Sequence, residues 1–264
     1  MTRAHHGWEI DHAYGDRVHI LDDAFSRTAL ARLSSPEASR AEVLSLLRAA
    51  NHSLLTTSVG RELVRTGAEI PTRMNEQHPG YGVYAAEIFD PDQRVVVCDV
   101  IRGGILPSQM CFELLTAVLP DDAVRLDHLT MSRVADDEGH VTGVEISGSK
   151  VGGTVEDATL ILPDPMGATG GTVLQAVRYY EEHHGKPRKI VVLPTICTPE
   201  FLRAVLEHEN IVVYSARLDR GLSAPDVLRA KPGERWNEER GLDDHSYIVP
   251  GAGGMGEILN NSWC

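Results

Sequence analysis

The most regular hydrophobic pattern in the chain begins near residue 94. Arg94-Val-Val-Val-Cys-Asp-Val-Ile101 is a short β-branched run, closed by Gly103-Gly104 and followed by apolar residues at helical spacing over about 106–118. Val124–Met131 and Val141–Ile146 predict two further strands, joined as a β-hairpin arm through the acidic turn Asp136-Asp137-Glu138-Gly139. Thr159-Leu-Ile-Leu-Pro163 predicts a buried strand, with a loop and a helix over about 171–184 behind it. Lys189–Leu193, a helix at about 198–208 and Ile211–Tyr214 complete the series. Strands alternating with helices at these intervals predict an α/β fold with a mainly parallel sheet flanked by helices on both faces.

The N-terminal part is less periodic. Residues 1–33 hold one apolar cluster, Val18-His19-Ile20-Leu21. Ser34-Ser35-Pro36-Glu37 carries the signals of a helix start, a Ser cap with Pro and Glu in the first turn. Val43, Leu44, Leu46, Leu47, Leu54 and Leu55 then predict one or two amphipathic helices within about 36–66. Residues 67–93 are mixed and punctuated by Pro and Gly, and no element is assigned to them. Residues 223–246 are polar and irregular, which predicts a surface excursion.

Composition narrows the function. The 264 residues carry 25 Lys+Arg against 38 Asp+Glu, a formal charge of −13, which argues against a general nucleic-acid binder. No stretch approaches the roughly 18 apolar residues of a membrane span, and the first thirty residues have no apolar signal core. The four Cys (98, 111, 197 and 264) are far apart, so neither a disulfide framework nor a zinc ribbon is indicated. A soluble, cytoplasmic protein is expected. Cys98 and Cys111 fall in apolar patterns and are expected to be buried. Among the twelve His, His183 and His184 read as the end of a helix closed by Gly185, and His5 and His6 as part of a loose terminus.

The segment richest in chemistry is Leu160-Ile-Leu-Pro-Asp164-Pro165-Met166-Gly167-Ala168-Thr169-Gly170-Gly171-Thr172. A buried strand ends in a carboxylate, and a loop of small residues runs from it into a helix. In open α/β sheets ligands bind beyond the carboxyl ends of the strands. Ala168, Gly170 and Gly171 let backbone N–H groups close around a phosphate, the helix adds the positive end of its dipole, and Thr169 and Thr172 add hydroxyls. Asp164 is placed to accept hydrogen bonds from a sugar diol. No Lys follows the glycines, so this is not a nucleoside-triphosphate P-loop.

Asp-Pro-Met-x-Ala-Thr-Gly-Gly-[Ser/Thr], matched by Asp164–Thr172, resembles the phosphoribosyl-pyrophosphate (PRPP) motif of the uracil phosphoribosyltransferase family, and Tyr247-Ile248-Val249-Pro250-Gly251 resembles that family's base-binding segment. Leu218-Asp219-Arg220-Gly221-Leu222 is similar to the Asp-containing stretch ahead of the base loop. The weaker resemblance runs from about residue 18 to 264. It implies one phosphoribosyltransferase-like domain over 1–264, with an N-terminal helical segment about 1–66 and a small C-terminal base-binding hood about 218–264 that includes an insert, 223–246.

Further roles follow from the resemblance. Ile101-Arg102-Gly103-Gly104 matches the family's Leu-Arg-Ala-Gly turn, and Arg133 its Tyr-Arg, so that Arg102, Gly103 and Arg133 join the loop 164–172 in holding PRPP. Read without the family, Arg102 is equally a strand-end cation, and Arg133 a surface partner of Asp136 or Asp137. Asp164, Arg102 and Arg133 are the expected catalytic residues; Tyr247, Ile248, Gly253, Gly254 and Met255 are the expected base contacts. The implied reaction moves the phosphoribosyl group of PRPP to uracil, giving UMP and pyrophosphate, with Mg²⁺ bound mainly through PRPP rather than by a protein cage. The family also implies a homodimer or larger homo-oligomer, and some members respond to GTP.

The chain departs from the family after Pro250. Where Gly-Leu-Gly-Asp-Ala-Gly-Asp-Arg is usual, it has Gly251-Ala-Gly-Gly254-Met-Gly-Glu257-Ile258. The carboxylate expected near sugar and metal is missing at Gly254. Another nucleobase, or a PRPP- or nucleotide-binding regulator without strong catalysis, therefore stays open as an alternative.

Overall fold

The computed structural model describes residues 7–135 and 141–262, with the backbone alone for 132–135 and 141–144. His5, His6, the Asp136–Gly139 turn and Cys264 lie outside the described residues. The chain runs β1 (Val18–Ile20), α1 (Ala24–Leu33), α2 (Arg40–Glu62), β2 (Arg65–Pro71), β3 (Val83–Phe89), β4 (Val95–Ile101), α3 (Ile105–Thr116), β5 (Val124–Ala135) and β6 (Val141–Lys150). It continues through β7 (Thr159–Gly167), α4 (Gly171–His183), β8 (Lys189–Cys197), α5 (Pro199–Val205), β9 (Ile211–Ser215), β10 (Arg217–Leu218), α6 (Pro225–Arg229) and α7 (Met255–Asn260).

The main sheet has the order β1-β9-β8-β7-β4-β5-β6, with β10 added beside β8. Every pairing in it is parallel except β5 with β6, the expected hairpin. Alternation along the strands splits the core between two faces. Val96, Cys98, Leu160 and Leu162 pack with α4 and α5 through Val173, Val177, Tyr180, Phe201 and Val205. Val95, Val97, Ile161 and Leu193 pack with α2 and α3 through Leu54, Leu55, Cys111 and Leu115. Each fully buried aliphatic side chain contributes about 1.5–3 kcal/mol. Cys98, Cys111 and Cys197 are free and buried, and among the described residues no helix is long and apolar enough to cross a membrane.

The N-terminal segment is not wholly helical and its helices sit elsewhere than the Ser34 signal predicts. β1 joins the sheet beside β9, and α1 ends at Ser34, whose N–H bonds the Leu30 carbonyl. The residue before a proline is disfavoured in the α conformation, so Ser35-Pro36 separates two helices instead of starting one. The working cap is Ser39, in a reciprocal capping box with Glu42. From there α2 runs without a break, burying Val43, Leu47, Ala50, Leu54 and Leu55. The unassigned stretch 67–93 contains the separate antiparallel hairpin β2–β3.

The insert 223–246 runs mostly along the surface, as its polar pattern predicts, and a few buried contacts anchor it there. Glu239 is buried and pairs with Arg220 at 2.7 Å, while the Tyr14 hydroxyl donates to the same carboxylate. Burial together with that carboxylate pushes the Tyr14 phenol far above its ordinary pKa. Trp236 donates from Nε1 to the Pro199 carbonyl (3.0 Å) and packs edge-on against Tyr14. Long-range contacts of this kind are invisible in the local hydrophobic pattern.

Candidate active site

Adjacent parallel strands β4 and β7 send their chains in opposite directions: α3 covers the α2 face and α4 the other. Such a divergence opens a crevice at the carboxyl ends of the strands. A cavity of about 700 Å³ lies there. Three stretches far apart in sequence make most of its lining: Val100–Gly104 at the end of β4 and just beyond, part of 164–172, and Ser246–Ile248 with Gly253–Glu257 from the C-terminal region.

The first wall is the turn after β4. The Ile101–Arg102 peptide is cis. The Gly104 N–H returns to the Val100 carbonyl (3.0 Å), and a Cβ on Gly104 would stand 2.7 Å from that same oxygen, so only glycine fits. A Cβ on Gly103 would stand 3.3 Å from Pro165, which shows how closely this turn meets the second wall. Arg102 lines the cavity, and its Nη1 donates to Ser262. Beneath the turn, Asp99 is 3% exposed. One of its oxygens meets His128 Nδ1 at 2.8 Å, and the other has no hydrogen-bond partner among the described residues. Burial raises the Asp99 pKa, and the His128 contact offsets part of that rise.

In the second wall β7 does not stop at Pro163. It stays paired with β8 through Asp164, Met166 and Gly167, so the first half of the motif is strand. Asp164 lines the cavity and accepts the Met166 N–H at 2.8 Å. Pro165, Met166, Ala168 and Thr172 line it as well, whereas Gly167, Thr169, Gly170 and Gly171 do not. Gly167 is small for packing, since a Cβ would stand 2.8 Å from Pro194. Gly170 caps α4 with φ +83°, and a Cβ there would meet Val205 at 3.0 Å. The N–H groups opening α4 have no partners within the helix, which leaves that end electropositive.

Thr198, absent from the sequence reading, braces this loop from behind. Its N–H bonds the Gly167 carbonyl (3.1 Å), and its hydroxyl donates to the Ala168 carbonyl (2.7 Å) while accepting the Phe201 N–H (3.0 Å). Both loop carbonyls are thereby turned away from the cavity. The only sequence signal was Thr-Pro at the start of α5, a helix cap.

The third wall comes from the C-terminal stretch. Asp243 takes both the Tyr247 N–H and, through its own N–H, the Tyr247 carbonyl, and the Val249 N–H bonds the Gly241 carbonyl. This makes Leu242 and Ile248 a non-hydrogen-bonded antiparallel pair, with the main-chain groups of Ile248 pointing away from that bridge. Ile248 and Met255 are buried, Tyr247 is half exposed, and Gly253 has φ +77°. Asp219, singled out in the sequence, holds this wall in place. It pairs with Arg217 through two bonds of 2.8 and 2.7 Å and accepts the Gly251 N–H. Thr130, Met131 and Ser246 also line the cavity, as does Glu257 of the altered stretch after Pro250, and none of the four was among the expected site residues. The backbone of Arg133 is placed on β5, opposite Val144; its side chain lies outside the described residues.

A family model described as uracil phosphoribosyltransferase matches residues 32–234. The uracil phosphoribosyltransferase of Variovorax paradoxus is 26% identical over 243 residues, 92% of this chain and 97% of that protein. The one from Lactococcus lactis subsp. cremoris MG1363 is 28% identical over 168 residues, 63% of this chain, and the match spans 65% of the relative's own length. Among solved structures, the AQ2163 protein from Aquifex aeolicus superposes with a TM-score of 0.67 at 18% identity, over 92% of this chain and 97% of that one. Adenine phosphoribosyl transferase from Trypanosoma brucei does so with a TM-score of 0.51 at 12% identity, over 86% and 95%. These two likenesses establish the fold, and the family model, which covers most of the chain, establishes its kinship: the chain belongs to the uracil phosphoribosyltransferase family.

Proposed function

We propose that the protein transfers the phosphoribosyl group of PRPP to uracil, releasing UMP and pyrophosphate. The observation that carries this reading is the convergence of the Arg102 turn, the Asp164 loop and the Tyr247–Glu257 stretch on one cavity. In this reading the loop 168–172, which meets the cavity at Ala168 and Thr172, takes the 5-phosphate at the electropositive start of α4, and Asp164 takes the ribose hydroxyls. Arg102, Gly103 and Arg133 take the pyrophosphate. Anchoring the distant phosphate holds C1 for attack, while cationic groups stabilise the departing pyrophosphate from a cation-like sugar. Uracil offers alternating acceptors and donors along one edge, which the Ile248 main chain and the Gly253-Gly254-Met255 backbone complement, with Tyr247 beside them.

Among the described residues no group of three or more His, Cys, Asp or Glu is arranged to hold a metal ion. Among the described acids only Asp164 and Glu257 line the cavity, too few for a protein cage, which fits Mg²⁺ carried in on the substrate, where it neutralises phosphate charge. A cytoplasmic setting and a homodimer or larger assembly belong to the same proposal. The β2–β3 hairpin supports self-association, because it leaves Ile70, Met74, Tyr81 and Tyr84 exposed. Sedimentation is expected to give at least a dimer.

The test is incubation with PRPP, Mg²⁺ and individual bases, followed by detection of mononucleotide. UMP from uracil supports the proposal. Product from another base alone replaces uracil with that base, and PRPP binding without turnover replaces the enzyme with a regulator.

A further inference from the structure

We propose that Glu257 receives the proton that the ring N–H of the base loses when the glycosidic bond forms; this rests on the transfer reading above. Glu257 lies in the first turn of α7 and lines the cavity with Tyr247, Ile248 and Gly254. Its Oε2 occupies the space that a Cβ on Gly254 would need, so the bare wall at residue 254 is filled by a carboxylate from three residues further on. Arg40 on α2 donates to the Ile258 and Leu259 carbonyls, at 3.1 and 2.9 Å, and fixes α7 from behind.

Elimination strengthens the assignment. Among the described residues the ionisable ones lining the cavity are Arg102, Asp164, Tyr247 and Glu257. Arg102 offers only donors and Tyr247 a hydroxyl, so neither supplies a carboxylate to take up the proton. Asp164 stands on the sugar wall with one oxygen engaged by the Met166 N–H. Glu257 is thus the carboxylate on the base side, and its partial exposure gives it access to solvent. In the step, the ring nitrogen forms a bond to C1 as the C1–O bond to pyrophosphate breaks. The electron pair of that bond leaves on pyrophosphate, and the N–H proton passes to the Glu257 carboxylate and then to water.

The test compares steady-state kinetics of the full chain with PRPP, Mg²⁺ and uracil. Glu257→Gln is expected to lower kcat by about 10²–10⁴-fold, the usual range for a positioned proton acceptor. KM for PRPP should stay within about threefold. Gly254→Asp combined with Glu257→Ala moves the carboxylate back to residue 254 and is expected to recover much of the rate. If Glu257→Gln does not fold, as judged by circular dichroism, the double variant decides, and its failure to exceed Glu257→Ala overturns the proposal. A wild-type kcat in Glu257→Gln overturns the role of Glu257 alone, whereas a wild-type chain that makes no UMP overturns both readings.

Discussion

Arg102 and Ser262, separated by most of the chain, are joined at the cavity: the Arg102 Nη1 donates to the Ser262 carbonyl at 3.3 Å and to its hydroxyl at 3.1 Å. In the proposed reaction the same guanidinium binds pyrophosphate, so substrate must displace these oxygens. Ser262→Ala removes one competing acceptor in an exposed setting, worth about 0.5–1 kcal/mol. The expected outcome is a KM for PRPP lower by about two- to fivefold, with kcat little changed. Initial-rate measurements over a range of PRPP check it, and an unchanged or raised KM argues against the competition.

Asp164→Asn keeps the oxygen that accepts the Met166 N–H, so the β7 geometry should survive. What it loses is the charge facing the sugar. The expected loss in kcat/KM is about ten- to a thousandfold, or about 1.4–4 kcal/mol of transition-state stabilisation. Kinetics alongside thermal melting separates the two effects: an unchanged kcat/KM would falsify the role at the sugar.

Thr198 supports the phosphate loop without reaching the cavity lining. Thr198→Val removes the cap of α5 and the hydrogen bond to the Ala168 carbonyl together. A lost cap alone costs about 0.5–2 kcal/mol. Denaturant unfolding should register that loss, and isothermal titration should find weaker PRPP binding. Lower stability with unaltered PRPP affinity would mean that the brace serves the fold only.

The strands and the phosphate loop were legible because both are written locally. Unbroken apolar runs, buried on both faces, mark β4, β7, β8 and β9, and Asp164–Thr172 is a contiguous motif. Helix α1 was missed because it buries only Ala29, Leu30 and Leu33 among its apolar residues, too few to make a periodic pattern. Asp23, which accepts the Phe25 and Ser26 N–H groups as its cap, was the usable signal. Strand β7 overran its predicted end because prolines at 163 and 165 look like punctuation, yet β8 keeps pairing beyond them. Thr198 behind Ala168, Ser262 on Arg102 and Glu239 under Arg220 depend on tertiary approach, which no local spacing encodes.

Asp99 yields a pH-dependent prediction. It is a buried carboxylate with one oxygen on His128 and the other unpartnered among the described residues, and burial raises its pKa in the folded protein. A folded pKa above the unfolded value means that the native state binds more protons over that interval. Stability is therefore fully present below the ordinary carboxylate pKa and falls as pH rises through the raised one. Asp99→Asn removes the ionisation while keeping the shape, so its gain over wild type should be largest at neutral and alkaline pH, about 1 kcal/mol by the cost of a buried, incompletely satisfied polar group. The gain should shrink on acidification as wild-type Asp99 takes up its proton. Urea unfolding of both proteins from pH 4.5 to pH 8 measures it, and a variant that is less stable at pH 8 than at pH 4.5, relative to wild type, would show that the His128 contact outweighs the burial of charge.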